Sequence, residues 1–113
     1  MKAYLIDPFT QSVNEVDYSG QYQDIYSLID CSCFTVADFN EFGDCVFVDD
    51  EGLISGKFQE FFMISGYPQP LAGKGLILGC NSEGDSVEPS ITIEQARALV
   101  DWVPQWTLRA KYA

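Results

Sequence analysis

A continuous apolar run in the C-terminal half of the chain constrains the fold more than any other feature. Residues 75–80 read Gly-Leu-Ile-Leu-Gly-Cys, with no polar residue alternating among the aliphatic ones. A strand that is apolar on both faces is typical of the centre of a sheet, where other layers cover both sides. The remainder of the chain must therefore supply strands beside this run and layers above and below it.

Short β-rich segments bounded by turn residues can supply the neighbouring strands. They lie at residues 2–6, 12–18, 33–39, 44–49 and 53–55. Asp7-Pro8 ends the first segment, because proline disfavours helix at the residue before it. Asn40-Glu41-Phe42-Gly43 has the composition of a turn and predicts a hairpin between the third and fourth segments.

Helical periodicity occurs at three places. Tyr22, Ile25, Tyr26 and Ile29 predict an amphipathic helix over 21–30, and phenylalanines at 58, 61 and 62 share helical spacing. Thr92-Ile93-Glu94-Gln95 matches a capping box, which predicts the start of a last helix. The apolar stripe of that helix is supplied by Ala96, Leu99, Val100 and Val103, and Pro104 is its predicted stop.

The order of these elements indicates fold class. Strands and two or three helices follow one another without βαβ alternation, which favours an α+β fold with a mostly antiparallel sheet and a C-terminal amphipathic helix. The length of 113 residues, 47% of them hydrophobic, predicts a single domain over 1–113, in which 106–113 form a docking tail. No apolar stretch approaches the roughly 20 residues of a spanning helix, and no signal-peptide core is present. We therefore expect a cytoplasmic protein.

The residue types exclude several kinds of chemistry. The chain has no histidine, so Ser–His and Cys–His nucleophile pairs are impossible within it, and the commonest zinc ligand is missing. The four cysteines are not spaced as zinc knuckles and are expected to be free thiols in a reducing compartment. The oxygen-rich segment 81–88 does not match the calcium loop of an EF-hand and predicts a hairpin turn. We assign no catalytic residue, no metal and no cofactor.

The charge distribution suggests a partner. The net charge is −11, and residues 1–56 hold 11 acids against one base, which gives −10. Such acidity disfavours direct binding to nucleic acid or an anionic membrane. We expect carboxylates pointing to water on one edge to bind a basic protein, unless the acidity serves solubility alone. The candidates are Asp38, Glu41, Asp44, Asp49, Asp50 and Glu51.

Two further interpretations remain open. The first is a small-ligand or metal-binding pocket, with or without enzymatic activity, near Tyr67 and Lys74. The second concerns the aromatic residues Trp102, Trp106 and Tyr112, which either close the core or form a homodimer interface.

Several motifs together resemble a known family. They are Lys-Ala-Tyr-Leu-Ile-Asp-Pro at 2–8, Gly-Tyr-Pro-Gln-Pro-Leu-Ala-Gly-Lys-Gly-Leu-Ile-Leu-Gly at 66–79, Glu-Gly-Asp-Ser at 83–86 and the helix that starts at Thr92. Over most of residues 2–103 the chain resembles a small domain family of unknown function that is carried by bacteriophages and by bacteria with phage-derived genes. The resemblance implies a fold, a phage origin and a bacterial cytoplasm, and it brings no catalytic residues with it.

Overall fold

The computed structural model describes residues 1–50 and 60–103, which form nine strands and two helices. The strands are β1 Lys2–Asp7, β2 Ser12–Asp17, β3 Phe34–Asp38, β4 Asp44–Asp49, β5 Phe61–Ile64, β6 Leu71–Ala72, β7 Gly75–Cys80, β8 Ser86–Val87 and β9 Val100–Val103. The helices are α1 Gln23–Leu28 and α2 Ile93–Leu99. None of the helices in these two ranges is long and apolar enough to cross a membrane.

The apolar run forms the centre of the larger sheet, as the sequence predicts. The strand order is β2-β1-β7-β4-β3, and β8 adds to one end of β7. All of these pairings are antiparallel. A continuous apolar strand is stable in this position because β1 and β4 satisfy its backbone groups while other layers cover its faces.

Two different layers cover the faces of the larger sheet. Residues such as Tyr4, Val46 and Ile77 on one face pack against Phe62 of β5 and Ala96 of α2. The alternating residues on the other face pack against helix α1 and the residues that flank it. They include Ala3, Leu76 and Leu78, with Tyr18, Ile25 and Ile29 above them. The larger sheet is thus the middle of three layers.

Most of the predicted elements are confirmed. The predicted hairpin between the third and fourth segments forms as β3 and β4, α1 lies within the predicted 21–30 segment, and β7 has the predicted bounds. The capping box of α2 is complete: Gln95 donates its backbone N–H to Thr92 Oγ1 at 3.2 Å, and Thr92 donates its own N–H to Gln95 Oε1 at 2.8 Å. The fold is α+β in its general character, with mostly antiparallel strands and two described helices.

Three predictions about elements are wrong or need correction. The segment containing Phe61 and Phe62 is strand β5, whose neighbours are β6 and β9. Helix α2 ends at Leu99, and the backbone turns at Val100 to φ −97°, ψ 130°, so that residues 100–103 extend as β9. The strands therefore form two sheets, the smaller with the order β6-β5-β9. Phe58 and the predicted strand at 53–55 lie outside the described residues.

The reason for these differences is tertiary pairing. β5 and β9 lie side by side in register, with Phe62 opposite Trp102 and Ile64 opposite Val100. This pairing satisfies the backbone groups of both segments and buries Phe62 and Ile64 against the larger sheet. Helical spacing of a few apolar residues is a weaker signal than such pairing, and the apolar residues at Val100 and Val103 fit a strand equally well.

Candidate functional site

The β3–β4 hairpin contains most of the carboxylates predicted to form an acidic edge. Its register places Asp38 opposite Cys45 and Phe34 opposite Asp49. Asp38 and Asp49 therefore lie at opposite ends of the hairpin, about 13 Å apart along the strands at roughly 3.3 Å per residue. The expected single edge is thus divided, with Asp38 and Glu41 at the turn and Asp49 and Asp50 at the open end. Glu51 lies outside the described residues.

The expectation that Asp44 points to water is wrong. Its side chain is 1% exposed. Asn40 Nδ2 donates to Asp44 Oδ2 at 2.9 Å, the backbone N–H of Ser90 donates to Oδ1 at 2.8 Å, and the Ser90 hydroxyl also donates to Oδ2. Hydrogen bonds of this kind offset the cost of burying a polar side chain. Asp44 therefore ties the hairpin to the segment before α2 and is not available to a partner.

A second turn lies beside the hairpin turn and adds carboxylates that the sequence analysis assigned to no partner site. Cys80 donates its backbone N–H to the Gly43 carbonyl at 2.9 Å, which joins the end of β7 to residues 40–43. The following turn, 81–85, exposes Glu83 and Asp85. Its shape is set by Asn81, whose Oδ1 accepts the backbone N–H groups of Glu83 and Asp85 at 2.9 and 3.0 Å. This confirms the predicted hairpin turn.

An exposed aromatic residue lies in the first of these two turns. Phe42, at the tip of the β3–β4 turn, is 73% exposed, more than any other large hydrophobic residue among the described ones. Its backbone N–H is held by Asn40 Oδ1 at 3.0 Å. We call the set Asp38, Glu41, Phe42, Glu83 and Asp85 the acidic turn pair. Only the pairing of β4 with β7 brings the two turns close together. Sequence reasoning therefore missed three of the five members, Phe42, Glu83 and Asp85.

Among residues 1–50 and 60–103, the cations near the acidic turn pair are few. Residues 38–50 and 79–91 contain no lysine or arginine. β1 brings Lys2 to the same end of the sheet, where its backbone N–H donates to Glu88 Oε2 at 2.5 Å and its ammonium lies 5.9 Å from the centroid of the Tyr4 ring. The carboxylates of the turn pair are therefore not neutralised within the two turns.

The alternative pocket does not bring its two predicted residues together. Tyr67 packs against the core on the β5 side of the larger sheet. Lys74 lies on the α1 side, where its Nζ donates to Asp30 Oδ2 at 2.7 Å. The hydrogen bond to Asp30 raises the pKa of Lys74, which holds it as a cation bound within the fold. The residues 73–75 form a glycine turn that enters β7, with Gly73 at φ 78°.

Of the aromatic candidates and the thiols, Trp102 and Cys45 belong to the packing of the fold. Trp102 is half-buried and packs against the core, while Trp106 and Tyr112 lie outside the described residues. Cys45 is buried, and burial first, then the charges of neighbouring groups, raises its pKa to about 12. Among residues 1–50 and 60–103, no group of three or more acidic, cysteine or histidine residues could hold a metal ion.

Comparison with known proteins places the chain in a family. The family described as "Domain of unknown function (DUF3846)" matches residues 1–102. The chain belongs to the DUF3846 family. This DUF3846 domain is also 36% identical over 97 residues to an uncharacterized protein, y4iR, of Sinorhizobium fredii. The alignment covers 83% of this chain and only 58% of that relative. No solved structure matches the DUF3846 chain.

Proposed function

We propose that this protein is a non-enzymatic module that binds a basic protein through the acidic turn pair. The observation that carries the proposal is the 73% exposure of Phe42 among carboxylates that no cation of the same turns neutralises. Exposure of an aromatic ring to water is unfavourable, so covering the ring with a partner releases free energy that favours binding. Aromatic residues of this kind are enriched among the anchors of protein interfaces.

The carboxylates specify the chemistry of the partner. Asp38, Glu41, Glu83 and Asp85 are exposed in or beside the two adjoining turns, one of which carries Phe42. Asp38 and Glu41 also belong to the half of the chain that carries a charge of −10. The negative electrostatic potential of these carboxylates accelerates encounter with a basic surface and repels acidic ones. At physiological ionic strength it is screened over about 8 Å. The proposal also places the protein in a bacterial cytoplasm and gives it a phage origin, as the family resemblance implies.

Differential capture tests the proposal. A tagged wild-type chain, the variant Phe42→Ser and the control Phe9→Ser are exposed to a bacterial lysate, and bound proteins are quantified by mass spectrometry. Phe9 is a suitable control because it is 46% exposed and lies in the β1–β2 turn, at the opposite end of the larger sheet. We expect a basic protein to be lost with Phe42→Ser and retained with Phe9→Ser.

The charge dependence provides the second part of the test. The captured protein is purified, and its association rate with the chain is measured. The double variant Glu41→Gln, Glu83→Gln should bind it more slowly than the wild type does, and added salt should slow its association with the wild type. Capture that is equal for both phenylalanine variants, or an affinity that ignores salt, contradicts the proposal and leaves the acidity as a solubility feature.

A further inference from the structure

Strand β3 is an outer strand of the larger sheet, and the direction of its backbone groups can be established. Asp50 donates its N–H to the Cys33 carbonyl at 3.0 Å, and these residues are opposite each other in the continued β3–β4 register. In an antiparallel pair, hydrogen-bonded and non-hydrogen-bonded positions alternate. The N–H and C=O groups of Phe34, Val36 and Asp38 therefore point away from β4.

Within residues 1–50 and 60–103, no backbone hydrogen bond from another segment reaches these outward groups. Val36, at the middle of the strand, has a side chain that is 46% exposed. The strand carries no lysine or proline, the residues that usually protect an open edge. The backbone of β3 thus presents a row of donors and acceptors that no other described segment uses, beside an exposed aliphatic side chain.

The opposite edge of the same sheet is covered at one position. Met1 and Tyr18 exchange hydrogen bonds at 2.7 Å in both directions, so the outward groups of β2 belong to alternate residues that include Val13. Arg97 of α2 donates its Nε–H to the Val13 carbonyl at 3.0 Å. Among the described residues, α2 therefore uses one outward carbonyl of β2, and no comparable bond reaches β3.

Charge at both ends of β3 favours one class of occupant. Asp38, at the end of the strand, is exposed, and so is Asp50, which pairs with the residue before its start. An extended segment laid along β3 would span the roughly five residues between these two positions, with Asp50 one strand further inside the sheet, about 10 Å from the added backbone and within reach of a long basic side chain. Basic residues at the two ends of that segment would match the charges, whereas a second copy of this chain would add negative charge to the same edge.

We propose that β3 accepts an extended basic segment of the partner as an additional strand, with main-chain hydrogen bonds to Phe34, Val36 and Asp38. Basic side chains near its ends approach Asp38 and Asp50, and small β-branched residues contact Val36. The proposal deepens the proposed function and rests on it for the basic character of the partner. Asp38 belongs both to this edge and to the acidic turn pair, so one partner can contact both surfaces.

A synthetic peptide tests strand addition directly. The probe is Arg-Lys-Val-Thr-Val-Lys-Arg, and its control is the same peptide N-methylated at the central Val-Thr-Val, which keeps the charge and removes backbone donors. Amide hydrogen exchange of the ¹⁵N-labelled protein should slow at Phe34, Val36 and Asp38 when the probe is added at low salt. Each main-chain hydrogen bond corresponds to about fivefold in affinity, so the methylated peptide should bind at least tenfold more weakly.

Two protein variants separate this inference from the proposed function. Val36→Pro removes an outward N–H that β4 does not use, and Val36→Lys keeps the backbone and adds a cation; both should weaken probe binding about tenfold. Phe42→Ser should leave probe binding within about twofold. If the probe behaves as expected while lysate capture ignores Phe42→Ser, strand addition stands and the proposed anchor fails.

Four results would overturn strand addition. The first is that the methylated peptide binds as tightly as the probe, which would mean that charge and not main-chain pairing causes the binding. The second is slow exchange at Phe34, Val36 and Asp38 in the unbound protein, because a paired edge cannot accept a strand. The third is no binding of the probe at low salt. The fourth is a dimer in sedimentation that Val36→Lys dissociates, which assigns the edge to a second copy.

Discussion

At the scale of single residues, Asp44 shows how this chain accommodates a buried polar side chain. Its carboxylate accepts hydrogen bonds from Asn40, from the Ser90 backbone and from the Ser90 hydroxyl. Asp44→Asn replaces one acceptor oxygen by a donor that faces other donors, so we expect a loss of about 3 kcal/mol in the free energy of unfolding. Urea denaturation measures this loss. The control is Asp38→Asn, at an exposed position, which should change the free energy of unfolding by less than about 0.5 kcal/mol. Equal effects of the two substitutions would contradict the role assigned to Asp44.

Cys45 predicts a loss of stability in alkali. Its pKa is raised from 9.0 to about 12 in the folded state, so above pH 9 the unfolded chain releases a proton that the folded chain keeps. The folded state therefore loses stability as pH rises, by about 2 kcal/mol between pH 9 and pH 11 from this group. Denaturation of the wild type and Cys45→Ala at both pH values measures the difference. The variant should lose less on going to pH 11, although Tyr18, whose pKa burial also raises, contributes a loss of its own in both proteins.

The sequence could not predict the separate environments of these acidic residues. Asp38, Glu41 and Asp44 are within seven positions of one another, and their composition alone suggests one solvated cluster. The difference arises because Ser90, which is distant in sequence, approaches Asp44 through the tertiary fold. A hydrogen bond across 46 positions leaves no local signal. Thus exposure at Asp38 was predictable from a polar turn, and burial at Asp44 was not.

At the scale of elements, the turn after β5 is held by a close backbone approach. Gly66 has φ +101°, and a Cβ atom there would meet the carbonyl oxygen of Phe39 at 1.9 Å. Gly66→Ala should therefore cost at least about 3 kcal/mol, since backbone must move in addition to the strained φ. Gly84→Ala is the matched control, with φ +85° and no atom within 4 Å of the added Cβ. It should cost about 1 kcal/mol, and thermal denaturation of both variants compares them. Similar losses would show that the approach to Phe39 is not rigid.

Elements with strong local signals were predictable, and those that depend on pairing were not. The α2 capping box needs only Thr92 and Gln95, which are three positions apart, and the central strand β7 is visible as an uninterrupted apolar run. β5 and β9 are short and are defined by their mutual register, in which Phe61 lies opposite Val103. Because this register involves residues about 40 positions apart, no local pattern fixes it, and the smaller sheet was therefore absent from the sequence-based fold.

At the scale of the whole molecule, the net charge of −11 has opposite consequences for folding and for binding. The folded chain brings its carboxylates closer together than the unfolded chain does, so self-repulsion destabilises it. Salt screens that repulsion, and it equally screens the attraction between the acidic turn pair and a basic partner. Salt should therefore stabilise the protein while weakening the proposed complex. Acidity that served solubility alone would predict the first effect without the second.

Calorimetry across a salt series tests this prediction. Between about 10 mM and 0.5 M NaCl the screening length falls from about 30 Å to less than 10 Å, and we expect the unfolding temperature to rise by roughly 4 °C, or about 1 kcal/mol. The same series near pH 4, where about half of ordinary carboxyl groups are protonated, should show a smaller rise. An unfolding temperature that fell with salt would mean that attractive pairs such as Lys74 with Asp30, at 2.7 Å, outweigh the repulsion. In that case self-repulsion would not limit the stability of the fold, although the net charge of −11 would still attract a basic partner, and only the salt dependence of the complex would then test the proposed function.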